Sequence, residues 1–492
     1  MACTTILVGK KASYDGSTMI ARNDDSGSGH FTAKKFTVVH PEDLPKVYRS
    51  VLSHVEVPLP EGAMRFTAMP NAVEGKGIWA ASGVNAANVG MTATETITSN
   101  PRVLGADPLV EYRPAKGGQS EVPGGIGEED IVCLVLPYIH TAREGVQRLG
   151  QLLQTYGTYE MNGIAFADVN EVWWLETIGG HHWMARRVPD EGVVVMPNQL
   201  GIDGLDLTDT QGKNNLFSKD LPEFIAENAL DLTMDGPFDP RLAFGSHEDS
   251  DHVYNTPRGW YMLRYLLPHS FTWEGPDADY RPEDDDLPWC VRPERKVTVE
   301  DIKYLLSSHY QGTPYDPYGS YGDPGLRGKY RPIGINRTDL LSINCIRPGK
   351  PADCAAVQWL CFGSNAFNVA LPIYSQVPQV PEYLSCTGPH TDTGSFYWVR
   401  RLIAALADGS YKGSLIHIER YQLSAAAEAR RILNHYDGLL GAQEDPDKRL
   451  ALRLQANQEL ADTIRRLSQE VLDKVLYERS NVMKNAYARS DA

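Results

Sequence analysis

Short β-prone runs joined by tight turns recur through the first 200 residues, and this pattern constrains the fold more than any other feature of the chain. Residues 4–10 and 18–22 flank Asp15-Gly16, a strong turn step, so the second strand folds straight back on the first. The pattern returns at 77–82 and 89–96, at 164–168 and 172–176, and at 183–188 and 192–196, the last pair around Pro189-Asp190-Glu191. Strands joined so directly pair antiparallel, since parallel neighbours need a long crossover. One clear helix interrupts them: it begins at Thr141-Ala142-Arg143-Glu144-Gly145-Val146 and runs to about Tyr156, with Val146, Leu149, Leu152 and Leu153 at helical spacing and Gly157 as the stop. Helices that alternate with hairpins predict an α+β layered fold with antiparallel sheets, not a parallel doubly wound one.

The later chain is looser. Long loops are expected at 274–293, acidic and proline-containing over 274–286, and at 311–334, where Gly, Pro and Tyr crowd together without periodicity. Strand-like runs return at 355–362 and 368–373. Leu423, Ile432, Leu433, Tyr436 and Leu440 then mark one helix, and Asp445-Pro446 opens a longer one with Leu450, Leu454, Leu460, Ile464, Leu467, Val471 and Val475 on one face. The expected organisation is a core over 3–416 and a helical C-terminal region over 417–489, its stripe buried against the core or against a second copy in a homo-oligomer.

Charge narrows the function. Against 47 Lys plus Arg stand 63 Asp plus Glu, a formal charge of −16 with no basic run, which argues against nucleic acid and anionic membrane as partners. Apolar runs such as residues 131–136 fall far short of the roughly 20 residues that span a bilayer. The N-terminus has no basic segment of a secretory signal, so a cytoplasmic protein is expected. Seven scattered cysteines without a C-x-x-C pair fit reduced thiols. Neither a phosphate-binding G-x-x-x-x-G-K-[ST] loop nor a G-x-S-x-G element occurs. His181-His182 lacks a third ligand at a recognisable spacing, so no metal and no cofactor is expected.

The chemistry concentrates at Cys3. A cysteine with a free α-amine carries nucleophile and general base on one residue, the amine titrating near about 8 and the thiol near about 8.5. Met1-Ala2 places Cys3 one residue from the terminus once the initiator is removed. If the first two strands pair around Asp15-Gly16, Arg22-Asn23-Asp24-Asp25 returns to the level of Cys3, where a guanidinium favours thiolate and a carboxylate positions the amine.

These residues carry a resemblance. Cys3-Thr4-Thr5-Ile6-Leu7-Val8-Gly9, Asp15-Gly16-Ser17-Thr18 and Ala21-Arg22-Asn23-Asp24-Asp25-Ser26 resemble the opening of the dipeptidase A family of N-terminal-nucleophile (Ntn) cysteine hydrolases. The likeness continues through Glu129-Asp130, Thr141-Ala142-Arg143-Glu144-Gly145, Asn162-Gly163-Ile164, Glu176-Thr177-Ile178-Gly179-Gly180-His181, Tyr254-Asn255-Thr256-Pro257-Arg258 and His309-Tyr310-Gln311-Gly312-Thr313, about three quarters of the chain in order. The resemblance implies a four-layer αββα Ntn-hydrolase sandwich, a processed N-terminal cysteine, and hydrolysis of dipeptides, with penicillin V acylases and bile-salt hydrolases in the wider group. Its pattern falls on Cys3, Arg22, Asp25, Asn198 and Arg258 as catalytic residues: Cys3 as nucleophile, Asn198 as oxyanion donor, Arg258 shaping the charge around the nucleophile. Where the acylase branch has an Asn, this chain has Thr94, whose hydroxyl takes that place. Asp24, or Glu129-Asp130, is expected to meet the substrate's α-ammonium. An acylase on non-peptide amides and a catalytically silent scaffold are the alternative readings.

Overall fold

The computed structural model describes residues 3–73, 75 and 77–485; the leader Met1-Ala2 and the last residues of the expected helical region, 486–489, lie outside them. β1 (Thr4–Val8) is wholly buried and pairs with β2 (Thr18–Asp25) in the antiparallel register Thr5↔Arg22 to Val8↔Met19. The connection turns where sequence chemistry places it: Gly16 takes φ +84°, open to a residue without Cβ, and Asp15 Oδ1 accepts from the Ser17 N–H at 3.0 Å.

The other principal strands are β3 (Ser82–Val84), β4 (Gly90–Thr96), β5 (Asn162–Ala167), β6 (Val172–Thr177), β7 (Trp183–Val188), β8 (Val193–Met196), β9 (Asn215–Phe217), β10 (Cys290–Val291), β11 (Thr338–Ile346), β12 (Ala356–Phe362) and β13 (Leu371–Tyr374). They form two antiparallel sheets, β10-β8-β1-β2-β11-β12-β13 and β9-β7-β6-β5-β4-β3. The expected pair at β5–β6 is present; β4 also has its partner, but at Ser82–Val84 (β3) and not over the expected 77–82, and the two late strand-like runs pair as β12 and β13. The expected hairpin of 183–188 with 192–196 is not: β7 pairs with β6 in one sheet, while β8 crosses over and pairs with β1 in the other. The crossing chain packs on the end of β1, where a Cβ on Gly9 would sit 2.3 Å from the Pro189 carbonyl oxygen. β11, which no short turn announces, lies beside β2 in the register Ser342↔Arg22.

Side-chain alternation sets the layers. Leu7 and Ile20 face the second sheet and pack with Ala165, Trp174 and Met184. On the other side of the first sheet, Ile6, Val8 and Ala21 pack with Trp260 and Met262 of α2 (Thr256–Leu266) and with Ile302 and Leu305 of α3 (Val299–Leu306). The far side of the second sheet, with Met91, Phe166 and Trp173, is covered by Val146, Leu149 and Leu153 of α1 (Ala142–Tyr156), the helix capped by Thr141 and ended at Gly157. Each such large side chain removed from water contributes about 1.5–3 kcal/mol.

Three helices close the chain: α4 (Phe396–Gly409), α5 (Tyr411–Ala442) and α6 (Pro446–Asn481). α5 runs unbroken through residue 416, so the boundary expected there falls inside a helix. Ile432, Leu433, Tyr436 and Leu440 of α5 and Leu460, Ile464, Val471 and Val475 of α6 join the apolar cluster that contains Ile6. Leu423, expected on the same stripe, is exposed. Asn457 of α6 completes the free edge of β13, accepting from the Tyr374 N–H at 2.9 Å and donating to its carbonyl at 3.1 Å. Among the described residues no helix is long and apolar enough to cross a membrane.

Candidate active site

Cys3 immediately precedes β1, and its side chain is fully buried between the sheets on the face that carries Arg22 and Asp24. The β1–β2 register puts Thr5 opposite Arg22, and two-residue alternation then sets Cys3 beside Asp24. Arg22 Nη2 donates to Cys3 Sγ at 3.0 Å, to Glu128 Oε1 at 2.5 Å and to Asp24 Oδ1 at 3.2 Å. Its Nη1 donates to the Ala93 carbonyl at 3.0 Å, which ties the cluster to β4 across the gap between the sheets. Lys34 Nζ lies 3.0 Å from Asp24 Oδ2.

A second arginine holds the main chain at Cys3. Arg258, at the start of α2, donates through Nη1 to the Cys3 carbonyl and to Thr4 Oγ1 at 2.6 Å, and through Nη2 to Asn198 Oδ1 at 2.7 Å and Asn255 Oδ1 at 2.6 Å. Asn198, just past the end of β8, donates from Nδ2 to the Thr96 carbonyl at 2.8 Å. Its amide is therefore fixed from both ends, and the fork geometry that does so is available to arginine and not to lysine. Thr94 lies on β4, one residue beyond the Ala93 carbonyl that Arg22 grips, and its buried Oγ1 has no hydrogen-bond partner. Next to it, Glu95 accepts from Thr5 Oγ1 at 2.8 Å.

Cys3, Arg22, Asp24, Asn198 and Arg258 are thus linked in one buried region. Asp25 is not at the thiol: alternation turns it to the opposite face, where its carboxylate accepts from Arg331 Nη2 and from Thr338 Oγ1 at 2.5 Å. The long loop over 311–334, whose Tyr315 and Tyr330 rings pack on each other at 4.6 Å, delivers that arginine, and its guanidinium lies over the Tyr254 ring at 5.1 Å. Glu129 and Asp130 do not reach the cysteine cluster either. Glu129 holds the Val51 and Leu52 N–H groups, each at 2.9 Å, and Asp130 holds the Gly127 N–H at 2.9 Å and the Tyr48 hydroxyl at 3.0 Å. Their neighbour Glu128 is the residue that joins Arg22 and Cys3. Glu128, Lys34, Glu95 and Arg331 are not singled out by the sequence, because no local pattern announces which segments meet at the cysteine; Asn255 sits in the Tyr254-Asn255-Thr256-Pro257-Arg258 motif, but its hold on Arg258 shows only in the fold.

Burial sets the electrostatics. It pushes the Cys3 thiol up; Arg22 pulls it down, but Glu95, Glu128 and Asp24 add to the rise, so the enclosed sulfur is held as thiol. Burial also opposes ionisation of Asp24, yet Lys34 and Arg22 overcome it and hold the carboxyl below its ordinary value. Glu128 moves the other way, raised by burial beyond what Arg22 offsets, with Asp24 and Glu160 contributing. Glu95 is pushed up to about 8 by burial against the pull of Arg258, and so carries its proton at neutral pH. Arg258 is lowered to about 10 by burial and by repulsion from Arg331.

Donor atoms of Cys3, Asp24 and Glu128 lie within 4.8 Å of one another, a spacing that would also suit a metal ion. Arg22 Nη2 already bonds to all three, so a fixed guanidinium supplies the positive charge there, and a metal would have to displace it. His181 and His182 both meet Asp107, at 3.4 and 2.8 Å, with His182 stacked on Phe224.

A buried cysteine thus stands at the head of a strand, held by one arginine at its sulfur and another at its carbonyl. Comparison with known proteins gives the class: residues 2–424 match peptidase family C69, and the chain belongs to that family. It is 53% identical to a protein of Bifidobacterium longum named dipeptidase, the match covering 100% of both chains. It is 50% identical to a probable dipeptidase A of Streptococcus pyogenes serotype M3, again over 100% of both. It is 43% identical to dipeptidase A of Lactobacillus helveticus, over 99% of this chain and 98% of that one.

Proposed function

We propose that this chain is a dipeptidase of the Ntn cysteine-hydrolase type, built as a four-layer αββα sandwich and working through Cys3. Full-length identity to proteins named dipeptidase supports the substrate class. The observation that carries the mechanism is the 3.0 Å contact of Arg22 Nη2 with Cys3 Sγ at the start of a strand, where Arg258 also holds the Cys3 carbonyl. Helices packed on the outer side of each sheet support the layering.

For the amine to act as base, Cys3 must be terminal. Its α-amine then takes the thiol proton as Sγ attacks the scissile carbonyl carbon. Negative charge moves to the carbonyl oxygen, where the Asn198 amide, oriented by Arg258 and Thr96, is the donor; Thr94 Oγ1 lies on the neighbouring strand as a second candidate. The ammonium returns the proton to the departing amino group, leaving a thioester. Water, deprotonated by the same amine, cleaves that thioester and regenerates the thiol. Asp25 acts at one remove in this scheme, steadying β2 and β11 through Arg331 and Thr338.

Turnover of simple dipeptides by the wild type and by Cys3→Ala tests the proposal, with acylated amines and bile-acid conjugates assayed beside them. Hydrolysis of dipeptides that Cys3→Ala abolishes is the expected result. An active Cys3→Ala overturns the nucleophile, and preference for the non-peptide amides overturns the substrate class.

A further inference from the structure

Glu128 is 2% exposed, and its Oε1 is held by Arg22 while its Oε2 has no hydrogen-bond partner. An unpartnered carboxylate oxygen in a buried site is costly unless something comes to it. Among the fixed charges of the cluster, Arg22 and Lys34 face Asp24 and Glu128.

We propose that Glu128, together with Asp24, binds the α-ammonium of the substrate's first residue, so that the bond presented to Cys3 is the one following that residue. The proposal rests on Cys3 being the nucleophile. Standard backbone geometry puts an α-nitrogen about 2.5 Å from the carbonyl carbon of its own residue. A thiolate attacks from about 3–3.5 Å. The ammonium of a correctly placed dipeptide therefore falls within about 4–6 Å of the sulfur. The carboxylate atoms of Asp24 and Glu128 and the sulfur of Cys3 are mutually within 4.8 Å, which matches a reach of one residue and no more. A peptide sliding one residue further, or an N-acylated one, would bring a neutral amide and its acyl group against two buried carboxylates instead of a cation. The burial that raises Glu128 works in the same sense, because a carboxyl reluctant to ionise alone gains from a second positive neighbour.

The test compares alanyl-alanine, its N-acetyl derivative and propionyl-alanine, the isostere that lacks only the amine. Wild type is expected to bind propionyl-alanine at least about tenfold more weakly than alanyl-alanine and to turn over the N-acetyl form at least about a hundredfold less efficiently. Glu128→Gln should raise KM for alanyl-alanine at least about tenfold more than it raises KM for the N-acetyl substrate, so the ratio collapses. Iodoacetamide should still label Cys3 in that variant. Glu128→Asp, which keeps the charge, should recover part of the ratio and serves as the deciding variant if the glutamine form does not fold. Equal binding of propionyl-alanine and alanyl-alanine by wild type, or an unchanged ratio in a folded Glu128 variant, overturns the clamp while leaving Cys3 in place. An active Cys3→Ala instead overturns the nucleophile itself, whatever the ratio shows.

Discussion

Replacing Arg22 probes the centre of the site. Its Nη2 donates to Glu128, Cys3 and Asp24 at 2.5, 3.0 and 3.2 Å, and every partner is buried. A charge-assisted hydrogen bond of this kind contributes about 1.5–3 kcal/mol. Taking about 2 kcal/mol for the thiolate alone, Arg22→Gln should lower the thiolate fraction about thirtyfold and move the alkylation midpoint up by about 1.5 pH units. The two carboxylates left without their guanidinium add a stability loss of about 3–5 kcal/mol. Arg22→Lys keeps the charge but has no fork to span three acceptors, so its activity should fall between wild type and Arg22→Gln. The assay is the pH dependence of iodoacetamide labelling at Cys3, read by peptide mass because Cys386 is exposed and labels as well, alongside kcat/KM for a dipeptide. A labelling midpoint identical to wild type in folded Arg22→Lys and Arg22→Gln would refute the assignment of Arg22 as the thiolate's partner.

Other consequences follow from the same contacts. Arg258→Lys cannot hold the Cys3 carbonyl, Thr4, Asn198 and Asn255 together, and should cost at least about a hundredfold in kcat with KM little changed, measured by steady-state kinetics. Glu95, raised to about 8 in the fold, keeps its proton while an unfolded glutamate loses it; its stabilisation is complete below the unfolded value and is lost as pH rises through about 8. Glu95→Gln should therefore flatten the decline of Tm between about pH 5 and 8, and an unchanged slope would contradict the assignment. Asp353 receives both Arg449 and Arg453 of α6, and Asp353→Ala should lower stability by about 1–2 kcal/mol in denaturant melts while kcat stays at the wild-type value.

What the sequence reveals depends on how local the cause is. The β1–β2 hairpin was legible because Asp15 and Gly16 set the turn themselves, and α1 because Thr141 and Gly157 mark its ends. Arg22 and Asp24 follow from strand alternation once that hairpin is accepted. Asp25 shows the limit: it adjoins Asp24 in the chain but faces the other way, and its partner Arg331 arrives on a loop without periodicity. The β7–β8 crossing looked like one more hairpin because a short polar turn is the same signal whether the next strand pairs with the last or with an open edge elsewhere. Glu128 carries no signal at all, since 106 residues separate it from Arg22 and only the packed sheets bring the two together.

The central claim is that a terminal Cys3 is the nucleophile. Inactivation of the working enzyme by alanyl chloromethyl ketone, followed by a peptide mass map, tests it most directly. The account predicts one adduct per lost active site, on the sulfur of a peptide that begins at Cys3. An adduct on another residue at full inactivation, or a fully active enzyme whose Cys3 still carries Ala2, would contradict it.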